Sequence, residues 1–360
     1  LAVLAGLAVG AFALGATLGD GAPPSSQSPV ATLRLAQLAG ERIVVGETGT
    51  GISKPLRTAI HRGEVAGVIL FAGNFPSRAA GRRLIADLQA IPRPPGLRSP
   101  LLIMVDQEGG EVKRLDGAPG ASAAEMGRRG TAFARRQGAR TAANLGDVGV
   151  NVDLAPVLDV ARPDGVIAAT ERGFGSTPAR VSATAVPFAA ALQHGGIAAT
   201  GKHFPGFGAA PENTDFAVQR IPLSRQTLRS VDEAPYRPYI AAGGKLVMLS
   251  TAIYPAFSEL PAAFTREIAT GELRERLGFG GVSITDALET TAVEAFGGPA
   301  KAALAGARAG ADLLLFTELG PAVRARKALA AALRAGGVDR GEFEASVQRV
   351  LDLRAGLVGR

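Results

Sequence analysis

Asp286 closes the apolar run 282–285. A carboxylate so placed can attack an anomeric carbon as a nucleophile or act as a general base; it is also a favoured cap for a following helix. The stretch Lys202-His203-Phe204-Pro205-Gly206-Phe207-Gly208 is more specific. Lys202 supplies a fixed positive charge with three donors, His203 donates or accepts, and the Pro-Gly pair shapes the turn beyond them. Asp106 precedes Gln107-Glu108-Gly109-Gly110, with Arg114 eight residues on. A carboxylate that accepts from two hydroxyls, beside a guanidinium of fixed donor geometry, is equipment for holding a carbohydrate; the same two residues would also make a structural ion pair. Arg172, in Glu171-Arg172-Gly173-Phe174, lies in a long loop, where a surface arginine is the ordinary reading.

These residues need a frame that brings distant stretches of chain together. Short apolar runs at 43–45, 67–71, 101–105, 150–154, 198–202, 246–250, 282–285 and 313–316 alternate with helical patterns such as 78–88, 127–145, 179–194 and 301–309. Most of the runs are continuously apolar, as expected of parallel strands covered on both faces. Alternation repeated about eight times predicts an α/β fold of the (β/α)8 barrel type, a single domain over residues 32–360. The active site of such a barrel gathers at the carboxyl ends of its strands. Asp106, the Lys202-His203 pair and Asp286 all stand at that end of their runs. The rival fold is a doubly wound open sheet, which would carry a glycine-rich phosphate turn after the first strand. Gly46-Glu47-Thr48-Gly49-Thr50-Gly51 resembles one only loosely.

With 360 residues, 47% hydrophobic and 20% charged, the chain is not a disordered one. It has no cysteine, which removes disulfides, thiolate nucleophiles, iron–sulfur clusters and cysteine-ligated zinc. Three histidines (His61, His194, His203) argue against a histidine-rich metal site. The net charge of +7 is spread over scattered residues and short pairs such as Arg128-Arg129, without a basic stripe interleaved with aromatics, so nucleic acid is not an expected partner. Residues 1–18 are almost wholly apolar, with no charge before Asp20, and residues 19–31 are rich in Gly, Pro and Ser. This predicts a signal peptide or membrane anchor followed by a flexible linker, and so an exported protein, extracellular or tethered to the outer face of the cell membrane.

In order along the chain, Gly67-Val68-Ile69-Leu70-Phe71, Val105-Asp106-Gln107-Glu108-Gly109-Gly110 with Arg114, Ala155-Pro156-Val157-Leu158-Asp159-Val160, Glu171-Arg172-Gly173-Phe174, Lys202-His203-Phe204-Pro205-Gly206, Thr285-Asp286 and Gly310-Ala311-Asp312 resemble the glycoside hydrolase family 3 pattern. The likeness is strongest to its single-domain bacterial β-N-acetylhexosaminidases and covers nearly everything from residue 33 onward. It implies a retaining hydrolase acting on amino-sugar oligosaccharides of cell-wall or chitin type, with Asp286 as nucleophile. It also implies Asp106, Arg114, Arg172, Lys202 and His203 as sugar-binding residues, and no metal or organic cofactor. One stretch departs from the pattern. The cell-wall branch continues with a second His and then an Asp-Ser-His triplet, whose last His is the acid/base paired with that Asp. Here Phe207 replaces the second His, and Asp215-Phe216-Ala217 stands where the triplet is expected. Ala217 transfers no proton. Asp215, or more weakly Glu212, is then the acid/base candidate, its pKa raised by enclosure against Phe207 and Phe216. The alternatives are a donor from another chain or a rearranged loop, a β-glucosidase or β-xylosidase of the same family, and a sugar-binding protein with little hydrolysis.

Overall fold

The computed structural model describes residues 29–357; the expected leader or anchor over 1–18 and most of the linker lie outside them. Eight strands follow in order: β1 Ile43–Gly46, β2 Gly67–Ile69, β3 Leu102–Val105, β4 Val152–Asp153, β5 Ala198–Phe204, β6 Leu246–Leu249, β7 Val282–Thr285 and β8 Leu314–Phe316. They pair in parallel in the order β7-β6-β5-β4-β3-β2-β1-β8. The parallel bridge Ile284↔Leu313 then joins the two ends. The expected barrel is therefore the observed fold, and an open doubly wound sheet is excluded. The glycine-rich turn after β1 is not a phosphate cradle either, since the Glu47 carboxylate already accepts from the amides of Thr48 (3.1 Å) and Ser53 (3.0 Å).

Continuous apolar runs give this barrel because each strand has two dry faces. Val44, Met104, Val152, Met248, Ile284 and Leu315 form an inner core, while their neighbours Ile43, Val105, Val247, Leu249, Leu314 and Phe316 pack outward on the helices. Each fully buried aliphatic side chain of this kind contributes roughly 1.5–3 kcal/mol. The surrounding helices begin at residues suited to the task. Ser53, Ser77, Ser122 and Thr177 each accept a hydrogen bond from the amide three residues on, satisfying a donor the helix itself leaves open. Gly310, at φ 103°, ends the helix Pro299–Ala309 in a left-handed conformation that a side chain would strain.

The helix expected over 127–145 is two helices, Ala123–Arg129 and Thr131–Gly146, broken at Gly130 with φ 86°. Its apolar spacing runs through the break; only the glycine reveals it. β5 extends two residues past its expected end, so the Lys-His pair belongs to the strand rather than to the turn after it.

Candidate active site

The carboxyl ends of the strands surround a cavity of about 210 Å³ lined by residues of β2, β5, β6 and β8 and of the loops that follow β2, β3, β4, β5, β7 and β8. Asp106, Arg114, Arg172, Lys202, His203, Asp215 and Asp286 all line it. Glu212 does not; it lies exposed on the loop.

Lys202 is the hub of the floor. Its Nζ lies 2.8 Å from Asp106 Oδ1 and 2.6 Å from Glu108 Oε1, and the side chain is 2% exposed. Arg114 Nη2 reaches Asp106 Oδ2 at 3.2 Å. Arg172 grips Glu108 with two parallel bonds of 2.8 Å, the fork-on-fork contact that holds a guanidinium in one plane. Three cations against two carboxylates leave the floor one positive charge in excess. Burial alone would push Asp106 and Glu108 up, but Lys202 and Arg114 on the first, and Arg172 and Lys202 on the second, outweigh it. Both stay ionised below the usual carboxylate range. The same carboxylates hold Lys202 above its ordinary value against the opposing effect of burial. Asp106 keeps lone pairs free on both oxygens, and Lys202 keeps one N–H, so the floor both accepts from and donates to hydroxyl groups.

Under this floor lies Asp153, at the end of β4. Its Oδ1 accepts from the amide of Gln107 at 3.0 Å, and burial raises its carboxyl well above the usual range. Gln107 in turn accepts from the amides of Arg114 (2.9 Å) and Leu115 (3.0 Å). The turn after β3 thus presents Arg114 because Gln107 folds the chain back. Arg172 is positioned by close packing: a Cβ on Gly127 would stand 1.8 Å from the Phe174 carbonyl oxygen. Ala124 N also donates to Glu171 O at 3.1 Å. The loop arginine that would ordinarily sit at the surface is tied into the site.

His203 is oriented by a residue assigned no role from sequence. Its Nδ1 lies 2.7 Å from Asp159 Oδ2, while Asp159 Oδ1 accepts from the amides of His203 (3.1 Å) and Phe207 (2.7 Å). With Nδ1 donating to that carboxylate, Nε2 is left to a ligand. Phe207 packs on His203 with ring centroids 5.6 Å apart; the position of the family's second His thus serves to hold the first. Asp286 follows β7, its amide donating to Leu249 O at 3.0 Å. Its Oδ1 accepts from the amide of Ala287 at 2.8 Å. Among the described residues nothing donates to Oδ2. The carboxylate is fixed in direction with one oxygen open.

Asp215 reaches the cavity from the loop after β5. Its carboxyl is raised by burial and then by the negative charge of Asp286. The expected enclosure by Phe216 is not the cause, since that ring is 71% exposed. Glu108 and Asp159 are the site residues missed as such from sequence. Both lie in stretches singled out there: Glu108 is a second carboxylate two residues after Asp106, and Asp159 an acid within an apolar run. Their partners, Arg172 in the loop after β4 and His203 on β5, lie 64 and 44 residues away.

Known proteins share this fold. Residues 32–353 match the glycosyl hydrolase family 3 N-terminal domain. A protein of Arthroderma benhamiae called an uncharacterized secreted glycosyl hydrolase is 36% identical over 342 residues, 92% of this chain and 96% of that one. A beta-hexosaminidase of Thioalkalivibrio sulfidiphilus is 36% identical over 280 residues, 74% of this chain and 78% of that one. Among solved structures, the family 3 beta-N-acetylglucosaminidase of Paenibacillus sp. FPU-7 superposes with a TM-score of 0.85 at 34% identity, covering 91% of this chain and 64% of that one. The chain belongs to glycoside hydrolase family 3. It is a glycosidase that hydrolyses O-glycosyl bonds.

Proposed function

We propose that this glycosidase removes terminal β-linked N-acetylglucosamine from cell-wall or chitin-type oligosaccharides with retention of configuration, through a covalent ester on Asp286. The observation that carries the reading is the open Oδ2 of Asp286 in the same cavity as Lys202, His203 and Asp106. The amino-sugar preference rests on the beta-hexosaminidase and beta-N-acetylglucosaminidase relatives.

Asp106, Arg114, Arg172, Lys202 and His203 hold the sugar ring. Asp286 Oδ2 attacks the anomeric carbon, the bond to the leaving oxygen breaks, and Asp215 delivers its proton to that oxygen. Water then attacks the same carbon, Asp215 takes a proton from it, and Asp286 departs as a carboxylate. The pKa of Asp215 suits both halves. Burial and then the Asp286 anion push it up, toward the protonated form a general acid needs; once Asp286 is esterified that charge is gone, and the carboxyl shifts back toward the anion a general base needs. The apolar run over 1–18 supports export, in keeping with the secreted relative.

A fluorinated N-acetylglucosaminyl donor, with peptide mapping by mass spectrometry, tests the reading. Label on Asp286 and faster turnover of aryl β-N-acetylglucosaminide than of aryl β-glucoside are expected. Label elsewhere overturns the nucleophile; preference for the glucoside overturns the substrate.

A further inference from the structure

Residues 213 and 215 sit on either side of a peg. Thr214 is 2% exposed and its carbonyl accepts from Ala292 N at 3.4 Å, while Asn213 and Asp215 both line the cavity. Asn213 Nδ2 donates to Asp215 Oδ2 at 2.8 Å, and Asn213 Oδ1 accepts from the Asp215 amide at 3.3 Å. One amide side chain thus fixes both the carboxyl and the backbone of Asp215. The backbone carbonyl of Asn213 is also occupied, accepting from Phe216 N at 3.2 Å. Asn213 is therefore held from both ends.

We infer that Asn213 is the positioning residue of the acid/base, pairing with Asp215 across two residues, so that 213–215 forms the proton-delivering unit rather than 215–217. The inference rests on the reading of Asp215 as acid/base. With Oδ2 engaged by a donor, the mobile proton resides on Oδ1, the oxygen left for the leaving group. The bond also favours the anion, so it opposes the upward push on Asp215 from burial and from Asp286. The other titratable or charged groups facing Asp215 are His203, from β5, and Arg172, from the loop after β4, and positive charge on either favours the anion too. Asn213 is uncharged; it adjusts the acid without adding a charge to a cavity that must accept a neutral sugar.

The test is kcat/KM against pH, on aryl β-N-acetylglucosaminides with good and poor leaving groups, for wild type, Asn213→Ala, the near-isosteric Asn213→Asp, Asp215→Ala and the Asn213→Ala/Asp215→Ala double variant. Protonated Asp215 sets the alkaline limb on poor leaving groups. Asn213→Asp places a second carboxylate against Asp215, moving that limb up by about one pH unit or more. Asn213→Ala moves it up less and lowers kcat for poor leaving groups about tenfold, leaving good ones within about twofold. In the Asp215→Ala background the Asn213 change has no further effect. If the limb stays in place in both Asn213 variants while Asp215→Ala still abolishes turnover of poor leaving groups, Asn213 is only a turn residue and the inference fails alone. If Asp215→Ala spares poor leaving groups, the acid/base reading fails, and the inference with it.

Discussion

Two clusters of buried charge lie at opposite ends of this barrel, and they differ in where their unused valences point: at the base, Glu41 Oε1 and Arg274 Nε lack partners among the described residues but are sealed off from solvent. At the base, Asp312 is fully buried and both its oxygens are crowded. Oδ1 accepts from Nε (3.0 Å) and Nη2 (2.8 Å) of Arg349. Oδ2 accepts from the Ser283 amide (2.8 Å), the Ser283 hydroxyl (3.2 Å) and Arg274. Nearby, Arg354 bonds Glu41 and the carbonyls of Leu97, Ser99 and Pro100. At the rim, Asp106, Lys202 and Asp286 are held just as firmly, yet each keeps an unused acceptor or donor on the cavity. Burial of charge is therefore not itself the sign of a site. Unspent hydrogen-bonding capacity facing a cavity is.

The widest split between the two ends comes from Asp286→Ala. It lowers kcat on the order of 10⁴-fold or more and leaves the denaturation midpoint in place; a shift in midpoint comparable to that of a base variant would erase the distinction. Next comes Arg354→Met, which strands the buried Glu41 carboxylate and costs about 3–5 kcal/mol of stability. Chemical denaturation reads this loss, while kcat per folded molecule is unchanged. A rim substitution of intermediate size, Asp106→Asn, removes the charged acceptor proposed to hold the sugar and is expected to raise KM about 10- to 100-fold, with kcat falling less; an unchanged KM would assign Asp106 to the frame.

The smallest effect sharpens the comparison at the seam between β7 and β8. Glu289 accepts from the amides of Thr317 (3.0 Å) and Glu318 (3.1 Å), and burial pushes its carboxyl up to about 7. The folded chain therefore binds a proton that the unfolded chain has released between pH 4.5 and 7. Stability accordingly falls across that window as pH rises, by about 2 kcal/mol after allowing for partial solvent exposure. Glu289→Gln flattens the decline, as urea midpoints at pH 5 and 7 will show; an identical slope in the variant assigns it to another group.

The strands were legible to within one or two residues because each is a short apolar run with both faces covered, and β7 matches its expected limits outright. Of the eight residues singled out, Asp106, Lys202, His203 and Asp286 were legible for the complementary reason: a Lys, a His or an Asp ending such a run has no packing purpose. Arg114, Arg172 and Asp215 lie in loops and stood out only by motif and family likeness, and Glu212 does not line the cavity. What escaped was relational. Glu108 and Asp159 gain their roles only once β3, β4 and β5 lie side by side. The partnership of Asn213 with Asp215 belongs to an aperiodic loop whose register is set by Thr214 and Ala292, a contact across 78 residues that no local pattern encodes.

The closing helix Arg340–Ala355 lies across the floor of the barrel through Arg354, and the first described turn, Pro29–Thr32, packs beside it. The first and last described segments thus lie side by side, away from the mouth of the cavity. A bead or a dye attached to either of these two segments would leave the entrance unobstructed.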